Sequence, residues 1–157
     1  MNVTGTPNTE VKVIDGAAAV HFLSVGESRT FGEYAREVFI PYVTSELERS
    51  VRVDIVWDVY IKESLKVTAR ENRGTGARRR VSPNVKLPGN WKNFLRNDAN
   101  KEELFQFLAT ETISTDTGDK VIISTVGERV ITSSVIKMLM DWNPVHRRKE
   151  IHESLCI

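Results

Sequence analysis

Two aspartates stand where chemistry could be done. Asp15 ends the apolar run Val11 to Ile14, and Asp58 ends the run Val51 to Trp57. If both runs are parallel strands of one sheet, their carboxyl ends share an edge, and that edge is where open α/β sheets bind ligands. Carboxylates that converge there repel one another and are stable together only when protonated or bridged by a hard cation such as Mg²⁺. The same residues also fit simpler roles, Asp15 opening an Asp-Gly turn and Asp58 capping a following helix.

A basic segment follows Asp58. Lys62, Lys66, Arg70 and Arg73 recur at helical spacing and so share one helix face, and Arg78, Arg79 and Arg80 fall in a loop rich in glycine and proline. Between Lys62 and Arg96 ten basic residues face only Glu63 and Glu71, a net +8. The remaining twelve basic and nineteen acidic residues leave −7 elsewhere. Segregation of this kind makes a local positive field in a chain whose overall charge is only +1. Such clusters hold phosphate backbones by neutralising charge and releasing counterions. Trp91 and Phe94 offer either stacking surfaces for bases or ordinary core. His21, His146 and His152 share no ligand spacing, Glu150 and Glu153 read as solvated charge, and neither a phosphate loop nor a nucleophile elbow is found.

The elements that must position these residues read as α/β. A strand at Val11–Ile14 precedes a helix opened by Thr30, with Glu33 completing a capping box and Phe31, Tyr34, Val38 and Tyr42 at helical spacing. Pro41 should kink or divide that helix. Val51–Tyr60 reads as a strand apolar on both faces, suited to the interior of a parallel sheet. Lys62–Asn72 reads as helix, Gly74–Asn90 as loop, and Asn100 as the cap of a further helix. Lys120–Ser124 and Glu128–Thr132 read as short strands around Gly127. Val135–Trp142 reads as helix stopped by Pro144, and His146–Ile157 as a charged segment with weak helical pattern.

A chain of 157 residues suits one domain, and its 27% charged residues are an ordinary globular share. The single cysteine, Cys156, cannot form an internal disulfide. That points to a reducing compartment, nucleus or cytoplasm. Met1 to Glu10 is polar and lacks a signal core, and no apolar run is long enough for a bilayer, so the expectation is an intracellular protein without membrane contact.

The order of these parts resembles the flap-endonuclease and PIN-like nuclease superfamily: a strand ending in Ile14-Asp15-Gly16, a second ending in Trp57-Asp58, then a basic helix and loop. Five stretches, Ile14–Ala18, Val53–Tyr60, Arg73–Arg79, Leu87–Trp91 and Asn100–Phe105, are similar to a multicopy group of animal proteins within it, some with tesmin-like cysteine-rich C-terminal regions. The resemblance implies a three-layer, parallel-sheet, Rossmann-like domain over residues 11–132, with a polar tail at 1–10, a basic arch at 62–96 and a divergent tail at 133–157. It implies phosphodiester hydrolysis at family level, with Mg²⁺ or Mn²⁺ on Asp15 and Asp58. It implies single-stranded or flap nucleic acid on Lys62, Lys66, Arg70, Arg73, Arg78, Arg79 and Arg80. Members of the group continue into a His-Glu-Glu-Ala-Asp-Thr-Arg helix and an Asp-Thr-Asp strand, which supply most of the metal-binding carboxylates. This chain instead runs Ser133-Ser134-Val135-Ile136-Lys137. The expectation is therefore a truncated domain that binds nucleic acid, holds its metal weakly and is inactive alone. The alternative is a noncatalytic module whose basic loop docks an acidic protein.

Overall fold

The computed structural model describes residues 9–59 and 77–133. Strand β1 (Thr9–Asp15) leads into helix α1 (Gly16–Phe22), and a loop leads to α2 (Phe31–Tyr34). A π-helical turn, Ala35–Phe39, joins α2 to α3 (Ile40–Glu48) as one rod, and β2 (Ser50–Val56) follows. After the basic segment come α4 (Trp91–Phe94), α5 (Asp98–Ile113), β3 (Val121–Val126) and β4 (Arg129–Thr132). The sheet order is β1-β2-β3-β4. The first two pairings are parallel and the last antiparallel, so the expected parallel α/β core is present.

Local chemistry explains the elements. Thr30 accepts from the Glu33 N–H at 3.2 Å, and the Glu33 carboxylate accepts from the Arg29 N–H at 2.6 Å, one residue earlier than in a standard capping box. Pro41 does not break the rod. It has no N–H to give to the preceding turn, and there the Ile40 N–H reaches back five residues to the Ala35 carbonyl, a π-turn that absorbs the proline. Lys120, entering β3, donates to the Leu47 and Glu48 carbonyls at 2.6 and 3.1 Å. A cation thus closes the C-terminus of α3 and joins it to the sheet.

One face of the sheet carries the core. Ile14, Val53, Ile55, Trp57 and Ile122 are buried against Phe31, Tyr34, Phe39, Val43 and Leu47 of the rod and Leu104, Phe105 and Leu108 of α5. Among the described residues the architecture therefore has two layers, a sheet and one helical layer, where the sequence reading expects three. The other face keeps Val13 63% and Val130 67% exposed.

Two readings are corrected. Asn97, and not Asn100, caps α5: its side chain accepts from the Asn100 N–H at 3.2 Å. Asn100 lies inside the helix, wholly buried. Trp91 and Phe94 are not stacking platforms. Phe94 is buried, and Trp91 packs on it at 5.2 Å and on Tyr34 at 5.0 Å, with its indole N–H on the Val20 carbonyl. The readings of Lys62–Asn72, Val135–Trp142 and His146–Ile157 fall outside the described residues.

Candidate functional site

The two aspartates share one edge of the sheet. Asp15 is opposite Val56 in the parallel β1–β2 register, and Asp58 lies two residues past Val56, where the neighbouring strand β2 ends. This is the geometry the alternating apolar runs predict. The surroundings differ, however. The Asp15 carboxylate accepts from the Ala18 N–H at 2.9 Å and caps α1, which holds one oxygen toward the helix. Asp58 is exposed and lines a cavity of about 400 Å³ that Asp15 does not line.

Trp57 builds the wall of that cavity. Its ring stacks with Phe105 at 4.7 Å and with Phe39 at 5.6 Å. Its indole N–H donates to Ser124 Oγ and its backbone N–H to Thr125 Oγ1, both at 3.0 Å. The ring also lies flat on the backbone of Gly16, where a Cβ would come within 2.5–2.7 Å of three ring atoms. The glycine after Asp15 is thus the position that lets β2 end beside β1.

Glu102 and Gln106 from α5 and Glu128 and Arg129 from the β3–β4 turn complete the rim. Gly127 has φ +58°, and Glu128 after it does not have positive φ, as a two-residue type II′ turn requires. The sequence reading missed all four rim residues. A signal for two existed: a β3 parallel to β2 must deliver the Gly127 turn, with Glu128 and Arg129, to the edge that bears Asp58. Asp58, Glu102 and Glu128 face one guanidinium across this rim, so the cavity is net acidic.

Among the described residues the donor set does not suit a firmly held metal. Among the described residues no three His, Cys, Asp or Glu side chains stand close enough to hold an ion. Mg²⁺ needs several oxygen ligands in near-octahedral array, and two carboxylates, one of them capping a helix, do not supply them.

The arginine loop is strapped down over residues 77–90. The Phe31 and Gly32 N–H groups donate to the Val85 and Pro83 carbonyls at 3.1 and 3.0 Å, and the Leu87 N–H donates to the Arg29 carbonyl at 2.9 Å. Asn100 is the clasp at the other end. Its amide donates to the Ala77 and Phe94 carbonyls at 2.9 and 3.0 Å, and its oxygen accepts from the Arg79 N–H at 2.9 Å and the Arg78 guanidinium at 3.0 Å. Arg78 also bonds Glu103 at 2.6 Å and the Arg79 carbonyl. Arg79 donates to the Lys86 carbonyl at 2.9 Å. Arg80 is exposed, and no side-chain partner is seen for it among the described residues. Lys62, Lys66, Arg70 and Arg73 lie outside the described residues.

No helix among the described residues is long and apolar enough to cross a membrane. No family model, curated protein or solved structure matches this chain.

Proposed function

We propose that this protein binds single-stranded or flap nucleic acid through the basic segment that follows Asp58, as a PIN-like domain without effective phosphodiesterase activity of its own. The observation that carries the reading is the shared edge: Asp15 ends β1, Asp58 follows the end of the adjacent parallel β2, and the basic segment comes after Asp58 in the chain. A phosphate backbone is held by the cations of that segment. Arg80 is free to reach it, while Arg78 is largely committed to Asn100 and Glu103. The acidic cavity turns phosphates away, so the strand runs beside it.

Binding of a labelled single strand or flap, measured against salt, tests this. Each phosphate contact on a single strand contributes about 0.7 to the slope of log affinity on log salt. Arg80→Ala is expected to flatten the slope by about that amount and leave folding unchanged. Arg78→Ala should change the slope less and lower stability by under about 1 kcal/mol, since an exposed ion pair is worth little. A slope unmoved by Arg80→Ala sinks the reading. With Mg²⁺ or Mn²⁺ the flap should remain uncut; robust cleavage that is lost in Asp15→Asn would show a complete metal site.

A second reading has one observation in its favour. Arg78 already takes a carboxylate, Glu103, as its partner. A noncatalytic module docking an acidic protein would use the same loop, and binding of an acidic peptide in preference to nucleic acid would select it.

A further inference from the structure

The carboxyl edge of the sheet gathers cations from two separate parts of the chain. Because β1 and β2 run parallel, the rod between them returns from the carboxyl edge to the amino edge. Its first residues therefore stand at the edge that bears Asp15 and Asp58. Strands β2 and β3 are parallel as well, and α5, which leads into β3, begins at the same edge: its Glu102 shares the cavity with Asp58. The arginine loop lies along this edge, clasped to α5 by Asn100 and to the start of the rod by the backbone of Arg29, Phe31 and Gly32.

Three ties bring the cations together. The Arg79 guanidinium donates to the Lys86 carbonyl at 2.9 Å. Lys86 pairs antiparallel with Thr30, and the Leu87 N–H donates to the Arg29 carbonyl at 2.9 Å, so Arg29 adjoins Lys86. A Cβ on Gly32 would stand 2.9 Å from the Pro83 carbonyl oxygen and 3.3 Å from Arg36 Nη1, which puts the Arg36 guanidinium beside the loop at Pro83. Arg29, Arg36, Arg79, Arg80 and Lys86 are all exposed. Among the described residues Arg29, Arg36, Arg80 and Lys86 have no side-chain partner. These five cations stand against Glu27, Glu33 and Glu37, a net +2, and Glu33 and Glu37 already accept from the Arg29 N–H and the Ser28 hydroxyl. The backbone that carries the cations is tied down, so little order is lost when a ligand settles on them. We infer that these five side chains form one phosphate track, on which a bound single strand continues from Arg80 across the start of the rod. The inference rests on the nucleic-acid reading and extends it to Arg29 and Arg36, which lie outside the basic segment. Contacts of this kind hold and orient the strand without reading its bases.

Binding of a labelled single strand to the full chain, measured against salt, tests it. Arg29→Ala together with Lys86→Ala removes two phosphate contacts, and the slope of log affinity on log salt is expected to flatten by about 1.4. Arg36→Ala should flatten it by about 0.7. Arg29→Lys together with Lys86→Arg keeps both charges and should keep the slope. Arg49, exposed at the far end of the rod and so at the amino edge, is the control, and Arg49→Ala should leave the slope unchanged. If the alanine pair lowers the urea midpoint, Arg29→Gln with Lys86→Gln keeps the stems and gives the same decision. A slope that flattens in Arg80→Ala and not in the pair overturns the track while the nucleic-acid reading stands; if neither moves it, both fall. A loss in Arg49→Ala equal to that in Arg36→Ala would also overturn the track, since any surface cation would then serve. So would preference for an acidic peptide over the strand, lost in the same pair, which would assign these cations to an acidic protein.

Discussion

Asn100→Ala should be among the most damaging single substitutions in this protein, although Asn100 is not itself a candidate site residue. Its side chain makes four hydrogen bonds, to the Ala77 and Phe94 carbonyls, the Arg79 N–H and the Arg78 guanidinium. Each is worth about 0.5–1.5 kcal/mol net, and a buried partner left unpaired costs about 1–3 kcal/mol. The Phe94 carbonyl bond is buried and cannot be replaced by water at once, whereas the Arg78 guanidinium is half exposed and can. The loss should therefore be about 2–4 kcal/mol. Urea unfolding would read it as a lower midpoint at unchanged slope. The perturbation has a second, local signature. With the clasp gone, residues 77–80 keep the Arg78–Glu103 ion pair to α5 but lose the Asn100 bonds, and amide exchange at Arg79 should rise well above that of the β2 amides. Asn100→Asp separates the two roles, keeping the acceptor for Arg78 and Arg79 and losing the donor to Ala77 and Phe94. A loss below about 0.5 kcal/mol for Asn100→Ala would refute the clasp, since surface substitutions fall in that range.

Two further outcomes follow from packing. Gly16→Ala places a Cβ within 2.5–2.7 Å of the Trp57 ring, which also stacks with Phe39 and Phe105. The clash should cost about 1–3 kcal/mol, beyond the helix-propensity gain of about 1 kcal/mol, and a variant as stable as the parent by urea midpoint would show that the ring can move. The Tyr34 hydroxyl is buried without a hydrogen-bond partner among the described residues, and burial pushes its pKa above the ordinary value of 10. Below pH 10 the tyrosine is neutral in both states. Above it the unfolded chain loses the proton first, so stability falls as pH rises, by up to about 1.4 kcal/mol per pH unit from this group. Tyr34→Phe should be at least as stable at neutral pH and should lose less stability than the parent above pH 10; an unchanged alkaline profile would disprove the assignment.

The frame of the fold is legible because two periods differ. Val51, Val53, Ile55 and Trp57 alternate, while Phe31, Tyr34, Val38 and Tyr42 return every three or four residues, and a strand and a helix form there. Helix α1 was not read as a helix, since Ala17–Leu23 is short and uniformly small and shows no polar stripe. What starts it is the Asp15 carboxylate on the Ala18 N–H, a cap the residue types allow but do not require. Asn97 and Asn100 present the opposite difficulty. Both can cap, and only packing decides that Asn97 ends the turn while Asn100 goes into the interior to meet a loop from elsewhere in the chain. Trp91 and Phe94 look like stacking surfaces because their neighbours are polar, yet Phe31 and Tyr34 lie against them in space.

The site was legible as an edge and not as a composition. Parallel pairing alone sets Asp15 and Asp58 at one edge, and the strand–helix–strand order with a second strand apolar on both faces implies it. The acids that join Asp58 around the cavity, Glu102 and Glu128, arrive on a helix face and a hairpin turn whose positions depend on how α5 and β3 pack. Their presence changes what the edge can do. Like charges about 4 Å apart at a protein surface repel by about 4 kcal/mol, so three rim carboxylates oppose any phosphate that would enter. The cations available for a backbone lie instead in the segment after Asp58, where Arg78 is held by Glu103 and Arg80 is free to turn outward. On the proposed reading, a strand held by Arg80 is repelled by these carboxylates, so its phosphates are expected to stay out of the cavity.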